Sequence, residues 1–207
     1  VDIILGTNNR HVIVEMVNQF DGKRRQLVDE KDTLVDFEEI SMERAIQKAR
    51  AYLKVQEGCE QFCTYCIIPK LRGRYRSRNP EAILFEAEKL AKDGVKELIV
   101  IAQDTSRYGE DLEEDINLAK LLKKLCKISG IEWIRVLYIY PEKITDELIA
   151  AFKEEEKIVP YVDIPIQHCN DEVLKRMGRR TNKQQILSVI EKLRNNVKDI
   201  TIRTSLI

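Results

Sequence analysis

The sequence contains little glycine, proline or aromatic residue, and it lacks an excess of either charge. Eight glycines and five prolines among 207 residues amount to about half of the average usage, which excludes a chain made of long irregular loops. The 35 basic and 35 acidic residues cancel, so any binding of nucleic acid must come from a local patch. No apolar run approaches the roughly 20 residues that a membrane span needs. We therefore expect a cytoplasmic chain of regular helices and strands with no membrane partner.

Cysteine is scarce too, since the chain has only five. The disulfide framework of a secreted protein would use an even number of cysteines spread along the chain, which excludes that class of protein. Three of them lie close together, as Cys59, Cys63 and Cys66. Because a compact loop can bring three sulfurs to one metal centre, this spacing predicts a metal site in a reducing compartment. Cys126 lies in a leucine-rich segment and is expected in the core, whereas Cys169 is either an accessible thiol or has no special role.

Two kinds of metal centre fit three closely spaced thiolates. Iron-sulfur clusters are held by cysteine thiolates. A cubane 4Fe-4S cluster with three of them keeps one iron free to bind a cofactor or substrate, as the open position of a catalytic zinc does. The alternative is a zinc site in which His168 or Cys169 adds a fourth ligand to the three cysteines.

The rest of the chain alternates apolar, β-branched runs with segments of helical period, which is typical of βα units and a parallel sheet. Five strands joined by four crossovers fit either an open doubly wound sheet or an incomplete (β/α) barrel, and periodicity does not separate the two. The predicted strands span residues 51–57, 97–103, 133–140, 161–167 and 200–206.

Capping residues mark the helix boundaries between these strands. Asn79 is typical of a helix start and Gly94 of a helix end. Asn170 is predicted to cap a short helix, and Thr181 with Gln184 is predicted to form a capping box for the helix after it.

The chain divides into three predicted parts. Residues 1–20 form a separate βα unit, with a strand at 1–5 followed by a helix. Residues 21–44 are charged, lack a strong period and are interpreted as a linker or docking segment, and the parallel-sheet domain covers 45–207. The first residue is not Met and both ends lie in apolar stretches, so we expect an internal fragment of a longer protein.

The cysteine motif and several other stretches resemble a known family. Cys-x3-Cys-x2-Cys with Tyr65 before its last cysteine resembles the radical S-adenosylmethionine (SAM) superfamily. Over residues 45–207 the chain is similar to the methylthiotransferases, most of all to the group that modifies an aspartate of a small-subunit ribosomal protein. Residues 1–20 resemble the last βα unit of that family's N-terminal domain. The matching stretches of the main domain are 57–59, 66–69, 72–73, 77–78, 103–109, 137–141, 164–168 and 203–204.

This resemblance implies a partial barrel of six βα units with the cluster at its mouth, of which the sixth unit is missing from the sequence. Independently, every polar motif that carries the resemblance falls at or just past the carboxyl end of a predicted strand. Parallel β/α barrels assemble their sites at that end, and such a placement on five strands is not expected of a purely structural protein.

The resemblance also implies a mechanism and its cofactors. In this family SAM chelates the open iron of the 4Fe-4S cluster through its amino and carboxylate groups. An electron from the reduced cluster cleaves SAM to methionine and a 5'-deoxyadenosyl radical, which abstracts hydrogen from an unactivated carbon. The protein orients the cofactor and excludes water. The implied electron donor is a protein such as flavodoxin or ferredoxin.

The family motifs carry these roles to particular residues of this sequence. The implied cluster ligands are Cys59, Cys63 and Cys66. His168 either faces the substrate or has a structural role. The implied SAM contacts are Tyr65 against the adenine, Gln103 and Asp104 as acceptors for the amino group, Gln167 at the ribose hydroxyls, and Arg203, or alternatively Arg179, as the cation for the carboxylate.

The segment from Lys70 to Arg78 carries five cations and no acid. It predicts an electropositive rim for a ribosomal or RNA surface, or for the negatively charged cluster and cofactor. The alternative is a solvated loop that nearby acids neutralise.

The sequence departs from the family in two respects. The family's sulfur-inserting step uses a second 4Fe-4S cluster held by three cysteines of the N-terminal domain, and no cysteine precedes Cys59 here. The C-terminal RNA-binding-like domain is missing as well, so we expect cofactor cleavage but no methylthiolation from this chain alone. One rival function is a tRNA methylthiotransferase acting on a modified adenosine, but the segment 103–109 and His168 argue against it. The other is a non-catalytic zinc-binding RNA module.

Overall fold

The computed structural model describes residues 1–7, 9–28 and 49–207. Near the N-terminus, strand β1 (Ile3–Leu5) leads through a short 3-10 turn to helix α1 (Ile13–Asn18), and strand β2 (Arg25–Leu27) pairs in parallel with β1. The strand and the helix expected within residues 1–20 are therefore confirmed. The sequence does not predict β2, which lies in the segment interpreted as a linker. Positions 29–44 of that segment lie outside the described residues, so the linker stays a prediction.

The main domain contributes the remaining strands of the described chain. Two of them, β4 and β5, form a short antiparallel pair in which Gln56 lies opposite Ser77. The strands are β3 (Arg50–Lys54), β4 (Gln56–Glu57), β5 (Arg76–Ser77), β6 (Glu97–Ile101), β7 (Trp133–Val136), β8 (Ile158–Asp163) and β9 (Thr201–Arg203).

The other five strands form one parallel sheet in the order β3-β6-β7-β8-β9. Each new strand pairs with the strand of the preceding βα unit, and the order never reverses. A doubly wound sheet has a point at which the order reverses, whereas a (β/α) barrel adds its strands in one direction. The strand order therefore confirms the partial barrel and excludes the doubly wound alternative.

Helices connect the strands of this sheet and cover it. None of the described helices has both the length and the apolar content needed to cross a membrane. The helices are α2 (Ile68–Arg72), α3 (Pro80–Lys92), α4 (Leu118–Cys126), α5 (Asp146–Glu154), α6 (Asp171–Arg176) and α7 (Lys183–Asn196).

The hydrophobic core lies between the sheet and these helices. Leu53 of β3, Leu98 of β6 and Ile134 of β7 are completely buried. Four leucines of α4, at positions 118, 121, 122 and 125, form one buried face, and each contributes about 1.5–3 kcal/mol by leaving water. Cys126 at the end of that helix belongs to the same core, which confirms the structural role expected for it.

The structure confirms two predicted helix caps and corrects a third. The Asn79 side chain accepts hydrogen bonds at the start of α3, and the Asn170 side chain does so at the start of α6. The capping box of α7 uses Asn182 and Gln185, one residue later than the pair predicted from the sequence. Two overlapping boxes are present in the sequence 181–185, and burial of Thr181 leaves the later pair to cap the helix.

Candidate active site

The cysteines lie in a loop that we call the cluster loop, residues 58–66, which begins directly after β4. Gly58 has a φ of +87°, and a Cβ at this position would overlap the backbone carbonyl of Arg74, so only glycine fits. The Gly58 backbone N–H donates to Oε1 of Gln103 over 2.7 Å, and the Cys59 N–H donates to the Gly73 carbonyl over 3.2 Å. These bonds attach the start of the loop to the carboxyl end of β6 and to the residue that follows α2.

The far side of the cluster loop is attached to the C-terminal end of α6. The Thr64 backbone N–H donates to the Met177 carbonyl over 3.0 Å, and the Thr64 hydroxyl donates to the Arg176 carbonyl over 3.1 Å. A loop that follows the first strand of the sheet is thereby held by the helix that follows the fourth strand. The chain closes across the mouth of the partial barrel at this point.

The three cysteines differ in exposure. Cys59 and Cys63 are buried, whereas Cys66 is exposed. Burial raises the pKa of the Cys59 thiol to about 11, and a hydrogen bond from the Gln61 backbone N–H opposes this rise. Among the described residues, no three histidine, cysteine or acidic side chains lie close enough to hold one metal ion. Ligation of a cluster by all three thiolates therefore stays a prediction.

Arg179 is a buried cation at the middle cysteine. Its Nη1 lies 3.8 Å from Sγ of Cys63, and its Nη2 donates to the Pro165 carbonyl over 2.6 Å. The guanidinium also lies over the ring of Tyr140, 4.5 Å from the ring centre. The sequence predicts this residue only as an alternative cation for a carboxylate, whereas the structure places it against a predicted cluster ligand.

Gln103 and Asp104, which follow β6, are both joined to the cluster loop. Gln103 accepts from Gly58, as described above, and Oδ2 of Asp104 accepts from Nε2 of Gln61 over 3.0 Å. Oδ1 of Asp104 accepts from the Ser106 hydroxyl over 2.5 Å. Asp104 is completely buried, and this burial raises its pKa although both hydrogen bonds oppose the rise. The two acceptors predicted for a cofactor amino group thus also support the loop.

Arg203 ends β9 and forms an ion pair with Asp163, the last residue of β8. The distance from Nη1 to Oδ1 is 2.9 Å, and the side chain is 55% exposed for Arg203 but only 2% for Asp163. The second oxygen of Asp163 is buried and has no hydrogen-bond partner among the described residues. The sequence does not single out Asp163. A carboxylate at the end of an apolar β-branched run was the available signal.

Left-handed backbone conformations collect around this site. Outside glycine, four described residues have a positive φ, and three of them are Phe62 at +50°, Tyr138 at +61° and Gln167 at +68°. Phe62 lies in the cluster loop, and the other two follow β7 and β8. Such conformations cost on the order of 1–3 kcal/mol each and are concentrated at functional sites. The fourth is Asp199, away from this edge, before β9.

Three exposed aromatic side chains lie on the same edge. Phe62, Tyr65 and Tyr138 are 66%, 48% and 44% exposed. Partial burial and the neighbouring Cys63 raise the pKa of Tyr65 to about 12. Tyr65 therefore presents an uncharged ring to solvent beside the cysteines.

Gln167 extends the pairing of β8 with β9, and His168 and Cys169 follow it. The Gln167 N–H donates to the Ser205 carbonyl and its own carbonyl accepts from the Ile207 N–H, each over 2.9 Å. Nδ1 of His168 accepts from the Asn170 backbone N–H over 2.9 Å, which is a local turn contact. Cys169 is exposed.

The cations of segment 70–78 are largely paired with acids. Arg72 contacts Glu57 over 2.8 Å, Arg74 contacts Glu60 over 2.9 Å, and Arg78 contacts Glu86 over 2.6 Å. These pairs favour the acid-neutralised loop over the electropositive rim.

Glu57, directly before Gly58, collects several of these contacts. It pairs with Arg72, with Lys54 and with Arg10 of the N-terminal unit. Burial opposes its ionisation, yet the hydrogen bond from Arg10 and the charge of Lys54 lower its pKa to about 2. The carboxylate is therefore charged throughout the neutral range and joins the N-terminal unit to the start of the cluster loop.

The comparison with known families matches residues 53–207 to the family described as the radical SAM superfamily. The chain belongs to the radical SAM superfamily. The match includes the whole cluster loop and the full length of four of the five strands of the parallel sheet.

Three curated relatives of this radical SAM chain carry the same name. A protein of Clostridium perfringens named ribosomal protein uS12 methylthiotransferase RimO is 49% identical over all of the chain and 47% of its own length. Proteins of the same name from Clostridium botulinum and a Thermoanaerobacter species are 50% and 49% identical, over 100% and 99% of the chain. The chain spans about half the length of the curated relatives it matches.

Solved structures show the same radical SAM fold at low sequence identity. The radical SAM methyltransferase TsrM from Kitasatospora setae, with cobalamin and a [4Fe-4S] cluster bound, has a TM-score of 0.60 and 15% identity over 75% of this chain and 30% of its own. The cobalamin-dependent radical enzyme OxsB, with SAM bound, has a TM-score of 0.60 and 14% identity over 75% of this chain and 23% of its own. These likenesses agree with the partial barrel.

Proposed function

We propose that this radical SAM chain is the cofactor-cleaving core of a methylthiotransferase that modifies the β-carbon of an aspartate in a small-subunit ribosomal protein. The observation that carries the proposal is the 49–50% identity, over essentially the whole chain, to proteins named ribosomal protein uS12 methylthiotransferase. The attachment of the three-cysteine loop at the mouth of a parallel barrel supports it, because such barrels hold their active sites at this end.

In this proposal Cys59, Cys63 and Cys66 hold a 4Fe-4S cluster with one open iron, which binds SAM. The donor set fits the group, since N–H donors reach two of the sulfurs, from the Gln61 backbone at Cys59 and from Arg179 at Cys63. Iron-sulfur thiolates are typically stabilised in this way. When bound, the cluster and SAM supply a 5'-deoxyadenosyl radical that removes hydrogen from the substrate carbon.

The chain's own residues bind and orient SAM. Tyr65 offers an exposed ring for the adenine, and Gln167 follows β8 at the position for the ribose hydroxyls. Gln103 and Asp104 each use an oxygen on the loop, but a carbonyl or carboxylate oxygen has a second lone pair, which leaves capacity for the amino group. Arg203 supplies the cation for the carboxylate, and its bond to the buried Asp163 orients it.

The remaining parts of the proposal extend beyond this sequence. The sulfur-inserting step requires a second 4Fe-4S cluster, whose ligands would come from cysteines outside these 207 residues, because none precedes Cys59. The electron comes from a donor such as flavodoxin or ferredoxin in the cytoplasm. Residues 1–20 belong to a preceding domain together with β2, which pairs with β1; the rest of 21–44 is the linker, and 45–207 form the radical SAM core.

The proposal is tested by anaerobic reconstitution with iron and sulfide, reduction with dithionite, and an assay for 5'-deoxyadenosine formed from SAM. The wild-type chain is expected to bind a 4Fe-4S cluster and to form the product. Cys63→Ala is expected to lose the cluster and, with it, the absorption at about 400 nm. Cys169→Ala, which removes an exposed cysteine outside the loop, is the matched control and is expected to keep both.

Two other outcomes would contradict the proposal. Bound zinc without iron would support the zinc-binding RNA module. A full 4Fe-4S complement in Cys63→Ala would remove that residue from the ligand set. The choice between ribosomal protein and tRNA is made with the full-length protein, by mass analysis of the ribosomal-protein aspartate and of tRNA nucleosides for the methylthio group.

A further inference from the structure

Arg179 is the one predicted site residue that contacts a cysteine of the cluster loop and two strand ends at once. Its two terminal nitrogens contact Sγ of Cys63 and the Pro165 carbonyl, and its plane lies over Tyr140. The residue is only 9% exposed. Because few waters reach it, its charge is poorly screened at the sulfur.

A buried cation at a cluster thiolate changes the energy of electron uptake. During a reductive titration the oxidised cluster takes up one electron from the chemical reductant, so the reduced state carries one more negative charge. An adjacent guanidinium stabilises that state more than the oxidised one. Hydrogen bonds to cluster sulfurs and the surrounding charge are known determinants of such potentials.

We propose that Arg179 is a positioning residue for Cys63 that raises the reduction potential of the cluster. The inference rests on the proposed function, because it requires that the cluster loop hold a 4Fe-4S cluster. It gives Arg179 a different role from the carboxylate cation predicted from the sequence. The guanidinium is already held by its contacts with Cys63 and Pro165. Arg203 is then the cation that binds the SAM carboxylate.

The planar fork of arginine is essential to this arrangement. It reaches the sulfur and the carbonyl with two separate nitrogens while its face stacks on the Tyr140 ring, which the compact ammonium of lysine cannot reproduce. Arg180 is the next residue and carries the same charge at an exposed position. Arg180→Met therefore removes an equal charge from almost the same place in the sequence without touching Cys63.

The test is a spectroelectrochemical titration of the reconstituted chain without SAM, with iron content measured on the same samples. Arg179→Met is expected to lower the ratio of reduced to oxidised cluster at least tenfold at a given potential, which is a shift of about 59 mV to more negative values for one electron. Arg180→Met is expected to titrate like the wild type. Equal potentials in the two variants, with intact clusters, would overturn the inference while leaving the proposed function standing.

A second variant covers the case in which Arg179→Met does not hold a cluster. Arg179→Lys keeps a cation but loses the fork, so the reduction potential of its cluster is expected between those of the wild type and Arg179→Met. Where Arg179→Met cannot be measured, the potential of Arg179→Lys is expected below that of the wild type. A wild-type potential in Arg179→Lys together with a wild-type potential in Arg179→Gln, which has no charge, would overturn the inference. A wild-type chain that assembles no 4Fe-4S cluster would overturn the proposed function, and this inference with it.

Discussion

The carboxyl ends of β6 and β9 both present polar side chains that the sequence predicts as contacts of one cofactor, but the two ends are built differently. After β6, Gln103 and Asp104 use their oxygens on the cluster loop, and Asp104 is completely buried. At β9, Arg203 is half exposed and pairs with Asp163, whose second oxygen has no partner in the described chain. The acceptors at the β6 end support the loop and keep only their second lone pairs for a ligand, whereas about half of the Arg203 side chain at the β9 end is open to solvent. Position at a strand end therefore identifies a site, and the bonds already made there distinguish support from binding.

The largest effect is expected from straining the start of the loop at Gly58, whose backbone N–H reaches the β6 end. Gly58→Ala introduces a side chain at a φ of +87° that overlaps the Arg74 carbonyl. Gly94→Ala is the matched control, because Gly94 has a φ of +91° but open space around it. The control is expected to cost about 1–2 kcal/mol for the left-handed backbone alone, and Gly58→Ala about 1–3 kcal/mol more for the overlap. Urea unfolding of the two variants measures the difference, and equal free energies of unfolding would mean that the loop relaxes freely.

The second test removes the buried carboxylate of the β6 end. Asp104→Ala leaves the buried Gln61 amide and the half-buried Ser106 hydroxyl without their acceptor. It is expected to cost at least about 2 kcal/mol of unfolding free energy, since a buried unsatisfied donor costs about 1–3 kcal/mol. Asp115→Ala, at a side chain that is 96% exposed, is expected to leave stability nearly unchanged. If Asp104→Ala were as stable as that control, the support role of the β6 end would be wrong.

The third test acts at the β9 end and is read in affinity. Arg203→Ala is expected to weaken SAM binding to the reconstituted chain roughly tenfold, in the range of hydrogen bonds to charged groups. It is also expected to lower stability, because the buried carboxylate of Asp163 loses the cation with which it pairs, so unfolding curves of the variant are measured alongside. Calorimetric titration measures the affinity, and Arg180→Ala is the control for loss of charge. An unchanged affinity would assign the carboxylate to another cation.

The smallest effect concerns pH and the loop after β6. Burial opposes ionisation of Glu110, but hydrogen bonds from Lys143 and Arg107 lower its pKa below the ordinary 4.5. A carboxyl group whose pKa is lowered in the folded state stabilises the protein at pH values above its ordinary pKa. This stabilisation is lost as the pH falls through the lowered pKa. Glu110→Gln is therefore expected to be less stable at pH 7 by roughly 0.2–1 kcal/mol and to lose less stability on acidification. Unfolding curves at pH 7 and at pH values below 4.5 check this, and parallel losses in both proteins would contradict it.

Much of the fold follows from local patterns in the sequence. The alternation of apolar runs with helical segments predicts the parallel sheet, and Asn79 and Asn170 mark helix starts because a side-chain oxygen satisfies free backbone N–H groups. The strand order is not local information, so the sequence alone leaves barrel and doubly wound sheet open. The capping box of α7 is displaced by one residue for a similar reason, since tertiary burial of Thr181 decides between two local solutions.

The site shows the same division between local and long-range information. The spacing of the three cysteines is a local pattern, and the structure places them in one loop at the mouth of the barrel. The contact of Arg179 with Cys63 joins residues 116 positions apart, and the pairing of Asp163 with Arg203 joins residues 40 apart. No pattern within a short window indicates either contact. The first joins segments that follow the first and fourth strands of the sheet, and the second depends on the pairing of β8 with β9.

The two-sided attachment of the cluster loop has a consequence for the order of assembly during synthesis. Strands β3, β6 and β7 pair with sequence neighbours, so they can associate as each βα unit leaves the ribosome. The contacts of Thr64 with Arg176 and of Cys63 with Arg179 span 112 and 116 residues. Neither contact can form until the fourth unit has been translated. Until then the cysteine loop is held at its start, by the contacts of Gly58, Cys59 and Gln61.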